Sequence, residues 1–169
     1  MKNSDSNTSG IIKQSLWQAP VLVVLAALLA ISANSWRAEG IPLVGDWSIE
    51  ARYADAAGDS LIIAPELAEL LFEQDAAVFL DARPHDQFVQ GHIRGALSVP
   101  WQDVDDYFER AADRLNGEKA IIVYCDGESC DLSHELSLFL KALGYENVHV
   151  MVNGWSVWQK FGLPVDSGE

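Results

Sequence analysis

From Ser60 onward, short apolar runs alternate with amphipathic stretches. Leu61-Ile62-Ile63, Ala77-Val78-Phe79-Leu80, Ala120-Ile121-Ile122-Val123-Tyr124 and Val148-His149-Val150-Met151-Val152 have the length and composition of strands. Between and after them, apolar residues recur at helical spacing. Leu67, Leu70 and Leu71 follow Pro65, a residue suited to the first helical position. Val104, Tyr107, Phe108, Ala111 and Leu115 form a second stripe, which Gly117 closes. Leu132, Leu136, Phe139, Leu140 and Leu143 form a third, ended by Gly144, and Trp155 and Trp158 mark a short last helix before Gly162 and Pro164. Strands separated by helices require crossover connections. The prediction over 60–169 is an α/β domain whose central, mostly parallel sheet carries helices on both faces.

Upstream the pattern changes. Met1 to Gly10 is polar and rich in Ser and Asn, and residues 1–15 read as a disordered N-terminus. Ala19-Pro20-Val21-Leu22-Val23-Val24-Leu25-Ala26-Ala27-Leu28-Leu29-Ala30-Ile31 follows, and no charge falls between Lys13 and Arg37. Residues 16–36 are about as long as a membrane helix needs, and Trp17 and Trp36 flank the span like interfacial anchors. One reading is an uncleaved anchor. Another is a secretory signal cleaved near Ala33-Asn34-Ser35, and a third is a buried soluble helix. The apolar run exceeds a typical signal core, which favours the anchor. Lys2 and Lys13 precede the span, so the positive-inside rule favours an exported soluble domain on the periplasmic or extracellular side. Residues 37–59 read as a juxtamembrane linker, although Gly40-Ile41-Pro42-Leu43-Val44-Gly45-Asp46-Trp47 is more apolar than a spacer needs.

Charge narrows the partners. Of 25 acidic side chains only Asp5 precedes residue 36, and of 11 basic ones only Lys2 and Lys13, which leaves 24 against 9, net −15, on the soluble part. Such a surface argues against nucleic acid and against an anionic lipid surface. Two cysteines do not make a disulfide framework, so they are more informative as chemistry than as architecture.

Both lie in Cys125-Asp126-Gly127-Glu128-Ser129-Cys130, between the third strand run and the third helical stripe. A cysteine at a strand end, on a loop that opens a helix, sits where backbone N–H groups and the helix dipole favour an anion. A thiolate or a sulfur species bonded to it fits that description. In parallel sheets, sites gather at the carboxyl ends of strands, and Cys125 and Asp81 are both at such ends. His85, His134 and His149 have no metal-ligand spacing with one another or with the cysteines, so no metal is expected.

Several segments together resemble a rhodanese domain. They are Phe79-Leu80-Asp81-Ala82-Arg83, Asp86 with Phe88, Gly91-His92-Ile93-Arg94-Gly95-Ala96 with Val99-Pro100, the strand and cysteine at 121–125, and Leu143-Gly144-Tyr145 with Asn147-Val148. Asn153-Gly154-Trp155 with Trp158 comes last, where the family usually has two glycines before the aromatic. The resemblance covers about residues 60–165. It implies an α/β fold and sulfur transfer through a persulfide on Cys125, without metal or organic cofactor.

The residues add detail to what the resemblance implies. Asp126, Gly127, Glu128, Ser129 and Cys130 would form the substrate loop, with Gly127 allowing a tight turn. Asp126 and Glu128 oppose both thiolate formation and an anionic donor. A persulfide or polysulfide, from a small sulfur-containing substrate or a sulfur-carrier protein, therefore suits the loop better than thiosulfate. Cys130 could resolve the Cys125 persulfide or pack as an inert thiol. Related phosphatases carry Arg six positions after the cysteine, and Asp131 there argues against phosphate chemistry. Asp81 and Arg83 are expected to support the fold, with Arg83 pairing Asp86 or another nearby acid. His92 is expected to bond backbone. Trp155 and Trp158 are expected to cap the core, and Trp101 to line the pocket mouth. Three functions follow: a sulfurtransferase, a thiol–disulfide relay through both cysteines, or a silent binding module.

Overall fold

A computed structural model describes residues 5–37, 41, 48–115, 119–127 and 130–168, with the backbone only for 5–17. The chain divides into two compact units at Asp46/Trp47. In the first, α1 runs from Asp5 to Ser35. It extends back through most of the stretch 1–15 expected to be irregular, because adding a turn to an existing helix costs less than nucleating one. Gln18–Ser35 has mean hydropathy 1.7 and none of it is buried. By length and composition it is long and apolar enough to cross a membrane, a description a signal sequence also satisfies.

The second unit contains α2 (Ile49–Arg52), α3 (Pro65–Glu73), β1 (Ala77–Asp81), α4 (His85–Gln90), β2 (His92–Ile93) and β3 (Leu97–Ser98). A 3-10 turn at Trp101–Asp103 leads into α5 (Val104–Ala112), β4 (Ala120–Tyr124), α6 (Leu132–Ala142), β5 (Val148–Met151), α7 (Gly154–Lys160) and β6 (Val165–Asp166). The unit starts at Trp47 rather than at 60. Tyr53, inside the stretch predicted as linker, is 1% exposed and packs with Leu61 and Val150. Leu61-Ile62-Ile63 is not a full strand. It lies along β5 through one parallel bridge, Ile62 to Val150.

The main sheet has the order β3-β1-β4-β5, and every pair in it is parallel. All five residues of β4 are buried because both faces of the sheet are covered. Phe79, Ile122, Tyr124 and Met151 face one core, with Ala68 of α3, Phe88 of α4 and Trp158 of α7. Leu80, Ile121, Val123 and Val148 face the other, with Ala111 of α5 and Leu136 and Leu140 of α6. The period of two along each strand divides its side chains between these cores.

Gly154 brings α7 close to the sheet. A Cβ there would lie 2.7 Å from Tyr124 Cβ and 2.9 Å from Met151 Cε. β2 and β6 form a separate antiparallel pair, and α4 fills the turn before it. The sequence pattern marked neither. Two-residue strands and a six-residue helix are too short to show a period.

Candidate active site

Cys125 follows the last residue of β4, at the carboxyl edge of the sheet, and is 1% exposed. The loop it opens is held at both ends. At its start, α7 and the residue that precedes it supply three contacts. The Trp155 N–H donates to the Cys125 carbonyl at 3.1 Å. The Gly127 N–H donates to Asn153 Oδ1 at 2.9 Å, and the Ser156 hydroxyl donates to Asp126 Oδ1 at 2.6 Å. Gly127 has φ +91°, so the tight turn expected of it is present and depends on glycine. Asn153 takes the first of the two positions where the resemblance implies glycine, in the left-handed region at φ +52°. Asn tolerates that conformation, and its amide adds an acceptor that glycine lacks.

At the far end of the loop, the contacts come from the segment just before the first sheet residues. The Tyr53 hydroxyl donates to the Cys130 carbonyl at 3.2 Å. Arg52 Nη2 pairs with Asp131 Oδ1 at 2.6 Å. His134 Nε2 lies 3.0 Å from the Ala54 carbonyl, and its ring stands edge-on to Tyr53 at 5.5 Å. His134 therefore acts as a structural contact.

Within the loop, the sulfur atoms of Cys125 and Cys130 are joined as a disulfide. Their Cα atoms are 6.5 Å apart, inside the range a disulfide spans. The Ser133 hydroxyl, in the first turn of α6, lies 3.2 Å from Cys125 Sγ and donates to it when the sulfur carries no hydrogen. The expected ring of backbone N–H donors around the sulfur is absent among the described residues. Gly127 N–H turns to Asn153 and Asp126, and Cys130 N–H to the Gly127 carbonyl. Glu128 and Ser129 lie outside the described residues.

Asp81 and Arg83 meet directly, so of the acids expected to pair Arg83, Asp86 or another nearby one, Asp81 is the partner. Asp81 is two residues away and sits at the end of a buried strand, where its carboxylate needs a cation. Arg83 Nη2 reaches Asp81 Oδ2 at 2.6 Å, Nε reaches Oδ1 at 2.9 Å, and the Arg83 backbone N–H donates to Oδ1 at 3.0 Å. Nη2 also donates to the Gly91 carbonyl at 2.8 Å. Burial alone would lower the guanidinium pKa, but the hydrogen bonds and charge of Asp81 outweigh it and raise it. The guanidinium lies 4.6 Å from the Trp155 ring centroid.

Trp155 therefore does more than cap the core. With Arg83, Gln87, Gln159 and Asp126 it lines a polar cleft of about 580 Å³ beside the loop. Trp101, expected at the pocket mouth, instead packs edge-on against Phe139 at 6.1 Å. A larger cleft of about 830 Å³, lined by His92, Trp155 and Asp166, holds no described residue of the cysteine loop. His92 bonds backbone as expected, with Nδ1 2.8 Å from the Phe88 carbonyl.

The loop's charge is less bare than the sequence implied. Arg52 offsets Asp131, and Arg83 interacts electrostatically with Asp126. Sequence reasoning missed Ser133, Asn153, Ser156, Arg52 and Tyr53. Ser133 and Ser137 left one signal, because they are hydroxyls one turn apart on a buried helix face otherwise made of leucine.

Fold and loop together define an α/β domain with a cysteine loop at the carboxyl edge of a parallel sheet. The rhodanese-like domain profile matches residues 64–161, and the chain belongs to that family. The HTH-type transcriptional regulator Rv0324 of Mycobacterium tuberculosis is 35% identical over 103 residues, 60% of this chain and 43% of the regulator. The thiosulfate sulfurtransferase GlpE of Actinobacillus succinogenes is 30% identical over 106 residues, 62% of this chain and 89% of GlpE. The solved rhodanese-like domain of the Anabaena sp. Alr3790 protein superposes with TM-score 0.52 at 27% identity, over 64% of this chain and 80% of that one. The chain thus spans less than half of the regulator and most of the sulfurtransferase.

Proposed function

We propose that this protein is a membrane-anchored sulfurtransferase that carries sulfane sulfur as a persulfide on Cys125. One observation carries the reading: Cys125 Sγ lies against the first turn of α6, 3.2 Å from a hydroxyl able to donate to it. A helix N-terminus and a hydroxyl donor both favour a sulfur anion over a neutral thiol. Membership of a family that includes a thiosulfate sulfurtransferase supports the same reading.

The reduced Cys125 thiolate attacks the outer sulfur of a donor. The S–S bond of the donor breaks, its thiolate leaves, and Cys125–S–S⁻ remains. An acceptor thiol or protein nucleophile then takes the outer sulfur and restores the thiolate. Asp126 is exposed beside the polar cleft and opposes the compact thiosulfate dianion, so a persulfide or a longer polysulfide, whose charge is single or spread along the chain, is the preferred donor. The apolar, unburied span of α1 supports the anchor, and Lys2 and Lys13 support an exported domain.

The test is intact-mass analysis of the pre-reduced full chain carrying Cys130→Ser, which cannot close the disulfide, in detergent after polysulfide and after thiosulfate in parallel. Polysulfide is expected to add one sulfur atom at Cys125, and thiosulfate markedly less. A chain left unmodified by both donors rules the reading out. The disulfide favours a second reading, a thiol–disulfide relay through Cys125 and Cys130. In that case polysulfide would leave Cys130→Ser without added sulfur, while wild type would become the disulfide, two hydrogens lighter.

A further inference from the structure

Three features meet at the far end of the cysteine loop. Cys130 lies within bonding reach of Cys125. Its carbonyl accepts from the Tyr53 hydroxyl at 3.2 Å, and the next residue, Asp131, is held by Arg52 at 2.6 Å. Tyr53 is 1% exposed, so its hydroxyl is a fixed point in the core. The segment 48–54 thus acts as a strap that sets where Cys130 stands.

We propose that Cys130 resolves the Cys125 persulfide with release of hydrogen sulfide, and that Tyr53, assisted by Arg52, is the positioning residue that holds Cys130 in reach. This rests on the persulfide reading above and assigns a fate to the carried sulfur. Cys130 Sγ attacks Cys125 Sγ, and a new bond forms between the two cysteine sulfurs. The bond from Cys125 Sγ to the outer sulfur breaks, and its electron pair leaves with the outer sulfur. The Cys130 thiol and the persulfide each supply one proton, so Cys125–S–SH and Cys130–SH become the disulfide and H₂S. The sulfane sulfur is reduced and the two cysteines are oxidised. A small thiol or a dithiol protein then returns the disulfide to two thiols.

Geometry favours this route over capture by an outside acceptor. Cys125 is buried beneath its loop, whereas Cys130 is already at bonding distance. An attacker held in place needs no encounter step. The arrangement makes the chain a polysulfide or persulfide reductase, with sulfide as product and a thiol as the source of electrons.

The test uses the pre-reduced full chain in detergent, one equivalent of polysulfide and no added thiol. Wild type is expected to release sulfide and finish two hydrogens lighter, with no persulfide retained. Cys130→Ser is expected to finish one sulfur heavier and to release no sulfide until dithiothreitol is added. Tyr53→Phe keeps the packed ring and loses one hydrogen bond, so single-turnover sulfide release should slow about fivefold. Dithiothreitol should discharge the persulfide of Cys130→Ser equally fast with or without Tyr53→Phe, a separation that general loosening of the fold would not give.

Sulfide release by Cys130→Ser at the wild-type rate, or a stable persulfide on wild type, overturns the resolving role and leaves the persulfide reading intact. Unchanged release in Tyr53→Phe overturns the positioning role. No sulfur gained even by Cys130→Ser overturns both the inference and the persulfide reading beneath it.

Discussion

Cys125→Ser is expected to reduce sulfur transfer to the uncatalysed background, a loss on the order of a thousandfold or more. A serine hydroxyl is scarcely ionised at neutral pH and cannot form the persulfide, so no covalent intermediate remains to divide the transfer into two displacements. The substitution changes little else. The backbone bond from Trp155 N–H to the carbonyl of residue 125 persists, as do the contacts of Gly127 and Asp126 with α7. Single-turnover uptake of sulfur from polysulfide, measured beside the thermal midpoint of the reduced chain, separates chemistry from folding. Full activity in Cys125→Ser would remove the site from the mechanism.

The second large effect is on stability. Arg83→Met leaves the Asp81 carboxylate fully buried without its cation, and is expected to cost about 3–5 kcal/mol. Asp81→Leu leaves the guanidinium without its bidentate carboxylate, holding the Gly91 carbonyl and the Trp155 face, and should cost a similar amount. The double variant should be less destabilised than the sum of the two, because neither charge is then stranded. Urea unfolding of the four chains measures this coupling. Strict additivity would mean that the pair contributes nothing as a pair. Arg83 also stacks on Trp155 beside the cysteine loop, so the single variants should slow sulfur transfer as well.

The parts of the fold legible in the sequence are those with long or continuous patterns. β4 was legible because Ala120 to Tyr124 is buried on both faces and carries no polar residue. α6 was legible because Leu132, Leu136 and Leu140 repeat at helical spacing and Gly144 stops them. Cys125 was legible because it stands between the two.

The missed parts depend on contacts between distant segments. Tyr53 lies in a stretch with no period of its own, and its partner Cys130 is 77 residues away. The sequence leaves open which acid pairs Arg83, Asp86 or another nearby one, because several are close along the chain. Burial at the strand end selects Asp81 over Asp86, which is not buried. Trp155 reaches the cleft as well as the core and Trp101 packs against Phe139, a difference hidden in the sequence because an aromatic residue near a site reads the same whether it faces the cleft or the core. Only the placement of α7, close against Tyr124 and Met151, turns Trp155 toward Arg83.

β4 lies between β1 and β5, paired on both edges. In terms of local opening, such a strand separates from its neighbours only when the whole domain unfolds. Segment 48–54 is different. It is a single helical turn whose ion pair to the loop, Arg52–Asp131, is exposed, while Tyr53 anchors it through packing, its hydroxyl and the backbone bond from Leu61 N–H. The cysteine loop therefore joins a doubly paired strand to a short segment anchored through one buried side chain, Tyr53. Opening of segment 48–54 would remove the Tyr53 and Arg52 contacts to Cys130 and Asp131 while the sheet remains closed. The amides of β4 should then outlast those of 48–54 in deuterium exchange by orders of magnitude.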